Sequence, residues 1–387
     1  MTKPVKDFDY MITGAGCAGL SLAMHMIHSG KFHDRKILLV DKDSKTSDDR
    51  TWCYWKSGAD IFNSIVYRQW NTIWFHDENF SRQMNISPYQ YKMIRGIDFY
   101  TYCFEEIRKH SNFTIVKDKV DRVFSNDSST GAVVGGDTIL ADFVFNSIFF
   151  EQPVLKEKEY WLLQHFKGWI IQTDQQCFDI TSAVLMDFRV RQEHGTAFCY
   201  LLPLSENEAL VEYTLFSESL LSEENYANGL HSYIKTVLKI NSFKIVGTES
   251  GVIPMTSHNF HSRQNNIINI GSAGGQTKGS TGYTFNFIQK HSMQLVHQLL
   301  NSGHPFISKR GKRFLIYDAI LLGVLRQNAV AGEKVFSELF RKNDPLRILR
   351  FLDNETQFGE ELRLISTLPK RPFLKEAIKQ CINYRTH

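Results

Sequence analysis

The stretch from Tyr10 to Asp41 constrains this chain more than any other, because a strand, a glycine turn, a helix, a second strand and an acid follow one another there. Tyr10-Met-Ile-Thr13 runs into Gly14-Ala15-Gly16-Cys17-Ala18-Gly19. The helical spacing of Leu20, Leu22, Ala23, Met24, Met26 and Ile27 then continues up to Gly30. Ile37-Leu38-Leu39-Val40 is the second strand, and Asp41 ends it 22 residues after Gly19. The glycines serve three physical needs, namely a tight turn, close approach of the backbone to a pyrophosphate, and close packing of helix on strand. The helix N-terminus offers N–H groups to phosphate, and an acid ending the second strand suits a ribose hydroxyl. The spacing predicts a dinucleotide site built from Gly14, Ala15, Gly16, Gly19 and Asp41. Its place close to the N-terminus makes FAD the expected cofactor.

A chain of 387 residues suits one large or two merged domains. The net charge of +4 is too mild to argue for nucleic acid, and there is neither a dense Lys/Arg stripe nor a nucleic-acid motif, so no such partner is expected. Aromatic residues make up 13%, with 29 Phe and 15 Tyr, which predicts an aromatic-lined interior or pocket. The cysteines at 17, 53, 103, 177, 199 and 381 show neither CxxC nor metal-site spacing and read as reduced thiols of a cytosolic protein. The N-terminal charges lead directly into the first strand, so no signal peptide is expected. No apolar run reaches the roughly 20 residues that span a bilayer. A soluble protein, or one resting on a membrane surface, is the expectation.

Further along, residues 97–109 carry a helical pattern, 113–116 and 120–123 read as strands, 126–131 as a turn, and 142–145 as a buried strand returning to the nucleotide domain. The cluster Arg50-Thr-Trp-Cys-Tyr-Trp55 follows a polar segment. It reads either as a core plug beneath the nucleotide or as a loop that contacts the flavin or lines the adjoining pocket, with Arg50 as the cofactor contact. From about 157 to 253 longer aromatic and branched strands predict an antiparallel sheet, interrupted by a helix between 221 and 239. Ile267-Ile-Asn-Ile270 then enters a second glycine turn, Gly271-Ser-Ala-Gly-Gly275, followed by Gly279-Ser-Thr-Gly282-Tyr283 and a helix expected from Thr281 to Leu300. Backbone N–H groups at Gly271 and Gly282 suit phosphate, ribityl or the flavin ring. The remainder is helical, with its longest apolar stretch between Phe314 and Leu325.

The expected architecture is therefore α/β. A Rossmann-like FAD/NAD(P)-binding domain is formed by 1–155 and 261–305, an inserted antiparallel-sheet substrate domain by 156–260, and a helical region by 306–387. A reductase binding two nucleotides needs a second GxGxxG, and only one is present. Flavin hydroxylases share the layout, but their later turn normally opens Gly-Asp where this one opens Gly271-Ser272.

Four segments together resemble lycopene β-cyclases: Gly14 to Gly19, Arg50 to Trp55, Tyr200 to Ser205 with Leu210 to Thr214, and Gly271 to Tyr283. Asp318 to Leu322, Val335-Phe336, Leu339-Phe340 and Phe351-Leu352 extend the resemblance over nearly the whole chain. It implies that Glu212, in Val211-Glu212-Tyr213-Thr214, is the catalytic carboxyl. The second acid of that family motif is replaced here by Tyr213, and Gln276-Thr277-Lys278 stands where a His-Pro pair is frequent.

The chemistry so implied is a cyclisation without net redox change, from lycopene through γ-carotene to β-carotene. An acid protonates C2 of the terminal C1=C2 bond, C5=C6 attacks the cation at C1, and the proton at C6 is lost. The resemblance further implies a reduced flavin, NAD(P)H as a candidate electron donor, and a cytoplasmic protein held peripherally at the inner membrane face. The competing readings are an FAD-dependent monooxygenase or reductase on an isoprenoid, and a carotenoid carrier without turnover.

Overall fold

The computed structural model describes residues 6–307 and 312–384. Of the expected C-terminal region, residues 308–311 and 385–387 and the side chain of Cys381 lie outside these.

Strands Phe8–Thr13, Ile37–Asp41, Phe113–Lys117, Asp137–Asn146 and Ile267–Asn269 form a parallel sheet, with Phe8–Thr13 between Ile37–Asp41 and Asp137–Asn146. Met11, Ile12, Leu38 and Leu39 are fully buried, as near-continuous apolar runs in a parallel sheet covered on both faces should be. Helix Cys17–Ser29 packs on this sheet and against helices Gly96–Arg108 and Phe285–Ser302. Gly30 ends it in the left-handed conformation at φ +63°, its N–H donating to Ile27 O.

A second sheet of seven strands runs in the order Lys244–Thr256, Trp161–Gln172, Glu208–Ser217, Thr196–Ser205, Ser182–Asp187, Thr72–His76, Ser81–Asn85. Two of its strands come from the N-terminal stretch, outside 156–260. Ser182–Asp187 pairs in parallel with Thr72–His76, so the sheet is mixed rather than purely antiparallel. Strand Trp161–Gln172 runs without a break through Gly168. Helix Glu223–Thr236 covers one face, burying Tyr226, Leu230, Tyr233 and Ile234 against Trp169, Val211, Tyr213 and Leu215. The opposite face meets the nucleotide-binding half and the C-terminal helices.

Thr51–Ser57, Tyr89–Arg95 and Arg68–Trp70 form a small third sheet. Among the described residues, five helices follow: Lys312–Arg326, Gly332–Lys342, Pro345–Leu352, Phe358–Ile365 and Lys370–Tyr384. Phe314, Ala319, Leu322 and Val324 are buried, so the long apolar stretch of this region packs against the body of the protein.

Candidate active site

The three fingerprint glycines occupy three different environments. Gly14 lies at φ +92°, and a Cβ there would overlap Ser147 Oγ. A Cβ on Gly19 would overlap Gly14 O and stand 3.0 Å from Ile12 Cγ2, so helix and strand touch only because Gly19 has no side chain. At Gly16 nothing lies within 4 Å of the same position, and no side chain caps the helix that starts after it. The helix N-terminus thus faces open space with its first-turn N–H groups directed outward, as an anion site requires.

Asp41 ends its strand beside this turn. Its Oδ2 accepts from Ala15 N at 2.6 Å and its Oδ1 from Asp43 N at 2.8 Å, while Lys45 Nζ stands 3.7 Å away. The carboxylate that the spacing assigns to a ribose therefore also fixes the first turn. A cavity of about 180 Å³ opens at the carboxyl ends of the parallel strands, between Asp41, Ala15, Phe104, Arg108 and Val116, the crevice where nucleotides bind in sheets of this type. Arg50 pairs with Asp49, its Nε donating at 2.9 Å, and keeps about half of its side chain exposed.

The second glycine loop packs on the first. Gly271 lies at φ +63° with its Cβ position 2.7 Å from Ala18 Cβ, and Gly282 lies at φ +73° against Gln164 Oε1. Helix Phe285–Ser302 starts after Thr284, four residues later than the pattern at Thr281 suggests, because Gly282 adopts a conformation outside the helix. Lys278, which departs from the family pattern, anchors the loop: its Nζ donates to Asp318 Oδ1 and Asn354 Oδ1, both at 2.8 Å, and Ser280 Oγ donates to Asp318 Oδ1 at 2.6 Å. Gln276 Oε1 and Thr281 Oγ1 are buried in this loop with no hydrogen-bond partner in the protein. Buried polar atoms without partners are rare. Together with the open space at Gly16 they fit a bound dinucleotide carrying a polar ring.

Glu212 lies in the middle of its strand. Across four strands the register aligns Tyr200, Glu212, Gly168 and Glu249 in one row. Residues directly opposite one another share a face, so both carboxyl groups flank a position without a side chain. Glu212 Oε1 accepts from Thr214 Oγ1 at 2.7 Å, Glu249 Oε2 accepts from Thr51 Oγ1 at 2.7 Å, and the two carboxyls hydrogen-bond to each other. Burial, then the charge of Glu249, pushes Glu212 well above the usual carboxylate range, against the Thr214 bond. Burial also raises Glu249, opposed by Thr51. Both glutamates keep some water-accessible surface although they lie deep in the protein, so a space remains in front of them.

Aromatic rings enclose this row. Tyr200 and Tyr283 bring their hydroxyls near each other, Trp55 meets Tyr283 edge-on at 4.6 Å, and Phe198 meets Tyr200 at 5.3 Å. A small cavity of about 20 Å³ continues the wall through Met186, Phe216, Phe336 and Leu352. The cluster at 51–55 divides by strand alternation. Trp52 and Tyr54 pack into the nucleotide-domain core, whereas Thr51, Cys53 and Trp55 turn to the glutamates and Tyr283. One half of the cluster is thus a core plug; the other half lines the space before the glutamates, and the segment is strand Thr51–Ser57 rather than a loop.

His165 and His194 lie away from this row. His165 lies on the other face of the sheet, bonded to Tyr226 Oη at 2.5 Å and Ser217 Oγ at 2.7 Å, and His194 is exposed in a turn. Glu249, Thr51 and Gly168 had no signal of their own in the sequence; only strand pairing brings them to Glu212. Among the described residues no cluster of metal-ligating side chains occurs.

The family model described as "Lycopene cyclase protein" matches residues 9–378. No curated protein sequence matches the chain. Among solved structures, a geranylgeranyl bacteriochlorophyll reductase-like protein from Thermoplasma acidophilum superimposes with a TM-score of 0.62 at 13% identity, over 96% of this chain and 99% of that one. A flavoprotein/dehydrogenase from Cytophaga hutchinsonii gives 0.62 at 12% identity, over 97% and 99%. A p-nitrophenol 4-monooxygenase from Pseudomonas putida gives 0.57 at 12%, over 94% and 97%. At such identities the likeness concerns the fold.

Proposed function

The chain belongs to the lycopene cyclase family, and from that membership we propose that it is a flavin-dependent lycopene β-cyclase, converting the ψ-ends of lycopene to β-ionone rings. The observation that carries the reading is Glu212: a carboxyl that burial pushes well above the usual carboxylate range, on a sheet face walled by Tyr200, Tyr283 and Trp55. An alkene is a very weak base, so its protonation needs an acid of raised pKa in a site where the hydrocarbon, filling the space before it, displaces water. Glu212 meets that need and delivers its proton to C2. The cation formed at C1, then at C5 after ring closure, meets ring faces whose quadrupoles attract positive charge and which offer no strong nucleophile.

FAD is the cofactor that the turn at Gly14, Ala15, Gly16 and Gly19, with Asp41, would hold through its phosphates and ribose. The loop from Gly271 to Gly282, with Gln276 and Thr281, would meet its ring. Bound in its reduced form, it would supply negative charge close to the developing cation. Arg50, beside the start of helix Cys17–Ser29, would add a positive charge near the phosphates.

The substrate is a hydrocarbon dissolved in lipid, so the protein must meet a membrane surface. Among the described residues no helix is long and apolar enough to cross one. Helices Phe358–Ile365 and Lys370–Tyr384 expose Phe358, Leu362, Leu374 and Ile378, each pair one helical turn apart, beside Arg363, Lys370, Arg371 and Lys375. These side chains, rather than the packed stretch from Phe314 to Leu325, are the proposed contact.

The test is expression in cells that accumulate lycopene, followed by chromatography of the pigments. Wild type should yield β-carotene, and Glu212→Gln, at equal protein level and flavin content, should leave lycopene unchanged. Unchanged lycopene with a flavin-loaded wild type would refute the cyclase reading; NAD(P)H consumption with an isoprenoid would then favour the reductase or monooxygenase.

A further inference from the structure

We propose that Glu249 is the partner of Glu212 in a carboxyl pair that holds one proton across the side-chain-free Gly168 and acts as a unit, giving a proton to the hydrocarbon and taking one back. The inference rests on the cyclase reading and names the partner acid that the sequence motif lacks at Tyr213.

Three geometric facts carry it. The register places Glu212 and Glu249 on the strands to either side of Gly168, facing the same way. Gly168 leaves just enough room for them: a Cβ there would stand 3.0 Å from both Glu249 Cγ and Leu210 Cδ1. Each carboxyl receives a hydroxyl from a different element, Thr214 for Glu212 and Thr51 for Glu249, so each has a fixed orientation and one remaining direction in which to meet the other. Two carboxyl groups this close cannot both ionise readily, and a hydrogen bond between them requires one proton.

The proton balance of the cyclisation suits such a pair. One proton enters at C2 and one leaves from C6, and both carbons are bonded to C1 in the new ring, so arrival and departure points are neighbours. Glu212 gives its proton to C2, the C1–C6 bond forms from the C5=C6 electron pair, and the proton on C6 leaves to the carboxylate pair as the C5=C6 bond re-forms. The pair ends with the single proton it began with. Between the two transfers it carries two negative charges opposite the cation, which lowers the barrier where charge develops.

The other ionisable groups around the pair do not compete for this proton. Cys53 from strand Thr51–Ser57, Tyr200 from strand Thr196–Ser205 and Tyr283 from the glycine loop face it, while Cys199 lies on the opposite face beside Tyr213, and burial raises all four above their usual ranges. Asp48 and Asp49 contribute negative charge from the loop before Thr51, with Asp49 paired to Arg50.

The experiment uses the flavin-loaded full chain, with lycopene in liposomes for turnover and difference infrared spectroscopy for the carboxyl protons. The wild type should give a bell-shaped pH dependence, as a pair sharing one proton requires. Glu249→Gln removes the negative neighbour, so Glu212 ionises more readily and the alkaline limb moves down by more than about one pH unit. Thr51→Val, a smaller perturbation that keeps the fold if Glu249→Gln does not, weakens the anionic form of Glu249 and moves the acid limb up. A merely structural role for Glu249 moves neither limb. In the infrared, one carbonyl band of a protonated carboxyl should persist at neutral pH in the wild type and be altered by both Glu212→Gln and Glu249→Gln. If wild type turns lycopene over but the Glu249→Gln profile superimposes on it, or the band ignores Glu249, the pair is refuted. If wild type has no turnover, the cyclase reading fails while the infrared titration still decides whether the two carboxyls share a proton.

Discussion

Adding a single methyl group to Gly16 or to Gly19 should separate the two roles of the nucleotide turn, cofactor contact and helix packing. At Gly19 the methyl meets the carbonyl oxygen of Gly14 and the Ile12 side chain. The first is backbone and cannot rotate away, so helix Cys17–Ser29, which buries Leu20, Leu22, Met24 and Met26, must shift. Overpacking of this kind costs at the upper end of its usual range, about 3 kcal/mol. With an unfolding entropy of about 2.1 cal/mol/K per residue, or about 0.8 kcal/mol/K for a chain of this length, that lowers the melting temperature by roughly 4 °C. At Gly16 the methyl meets nothing, and the backbone, at φ −82° and ψ −169°, is extended and open to any residue. The lost freedom of the unfolded chain and the poorer N-cap offset each other, leaving the flavin-free protein within about 1 kcal/mol of wild type. The same methyl enters the open space in which the pyrophosphate of the proposed FAD would lie. Losing one charge-assisted hydrogen bond there, about 2 kcal/mol, weakens FAD binding roughly 30-fold. Calorimetric titration of FAD and thermal melting of the flavin-free variants measure both effects. Undiminished FAD affinity in Gly16→Ala, or an equal loss of melting temperature in both variants, would refute this division of labour.

Asp318→Asn leaves the Lys278 ammonium buried without its carboxylate, which should cost about 3–5 kcal/mol and show as a lower urea midpoint. Burial raises Asp353 to about 6, against the pull of Lys290. Its protonated form is therefore the one the fold prefers, so its contribution to stability is present at acid pH and lost as pH rises through about 6. Denaturant titrations of Asp353→Asn should lack that decline between about pH 4 and 6. Replacing Phe358 and Leu374 together by Ser should reduce flotation with lipid vesicles while leaving melting temperature and flavin content unchanged. Equal flotation of variant and wild type, or no flotation of the wild type, would refute the proposed membrane face.

The sequence by itself determined the nucleotide-binding half, because every signal there is local. Glycines at fixed offsets, an apolar run and a terminal acid belong to neighbouring residues, and Gly14 to Asp41 fold as that spacing dictates. Glu212 was legible only as one member of a motif, since nothing in its immediate neighbours distinguishes a buried acid from an exposed one. Tertiary structure decided the rest. Glu249 lies 37 positions after Glu212 and meets it only because Trp161–Gln172 pairs with both of their strands, with Gly168 in the row between them. Thr51 and Trp55 reach that row from a different sheet, turned there by strand alternation. Burial, which raises Glu212 above the usual carboxylate range, is a property of everything packed around it, and strand register is set by the whole sheet, so neither could be read from the order of residues along the chain.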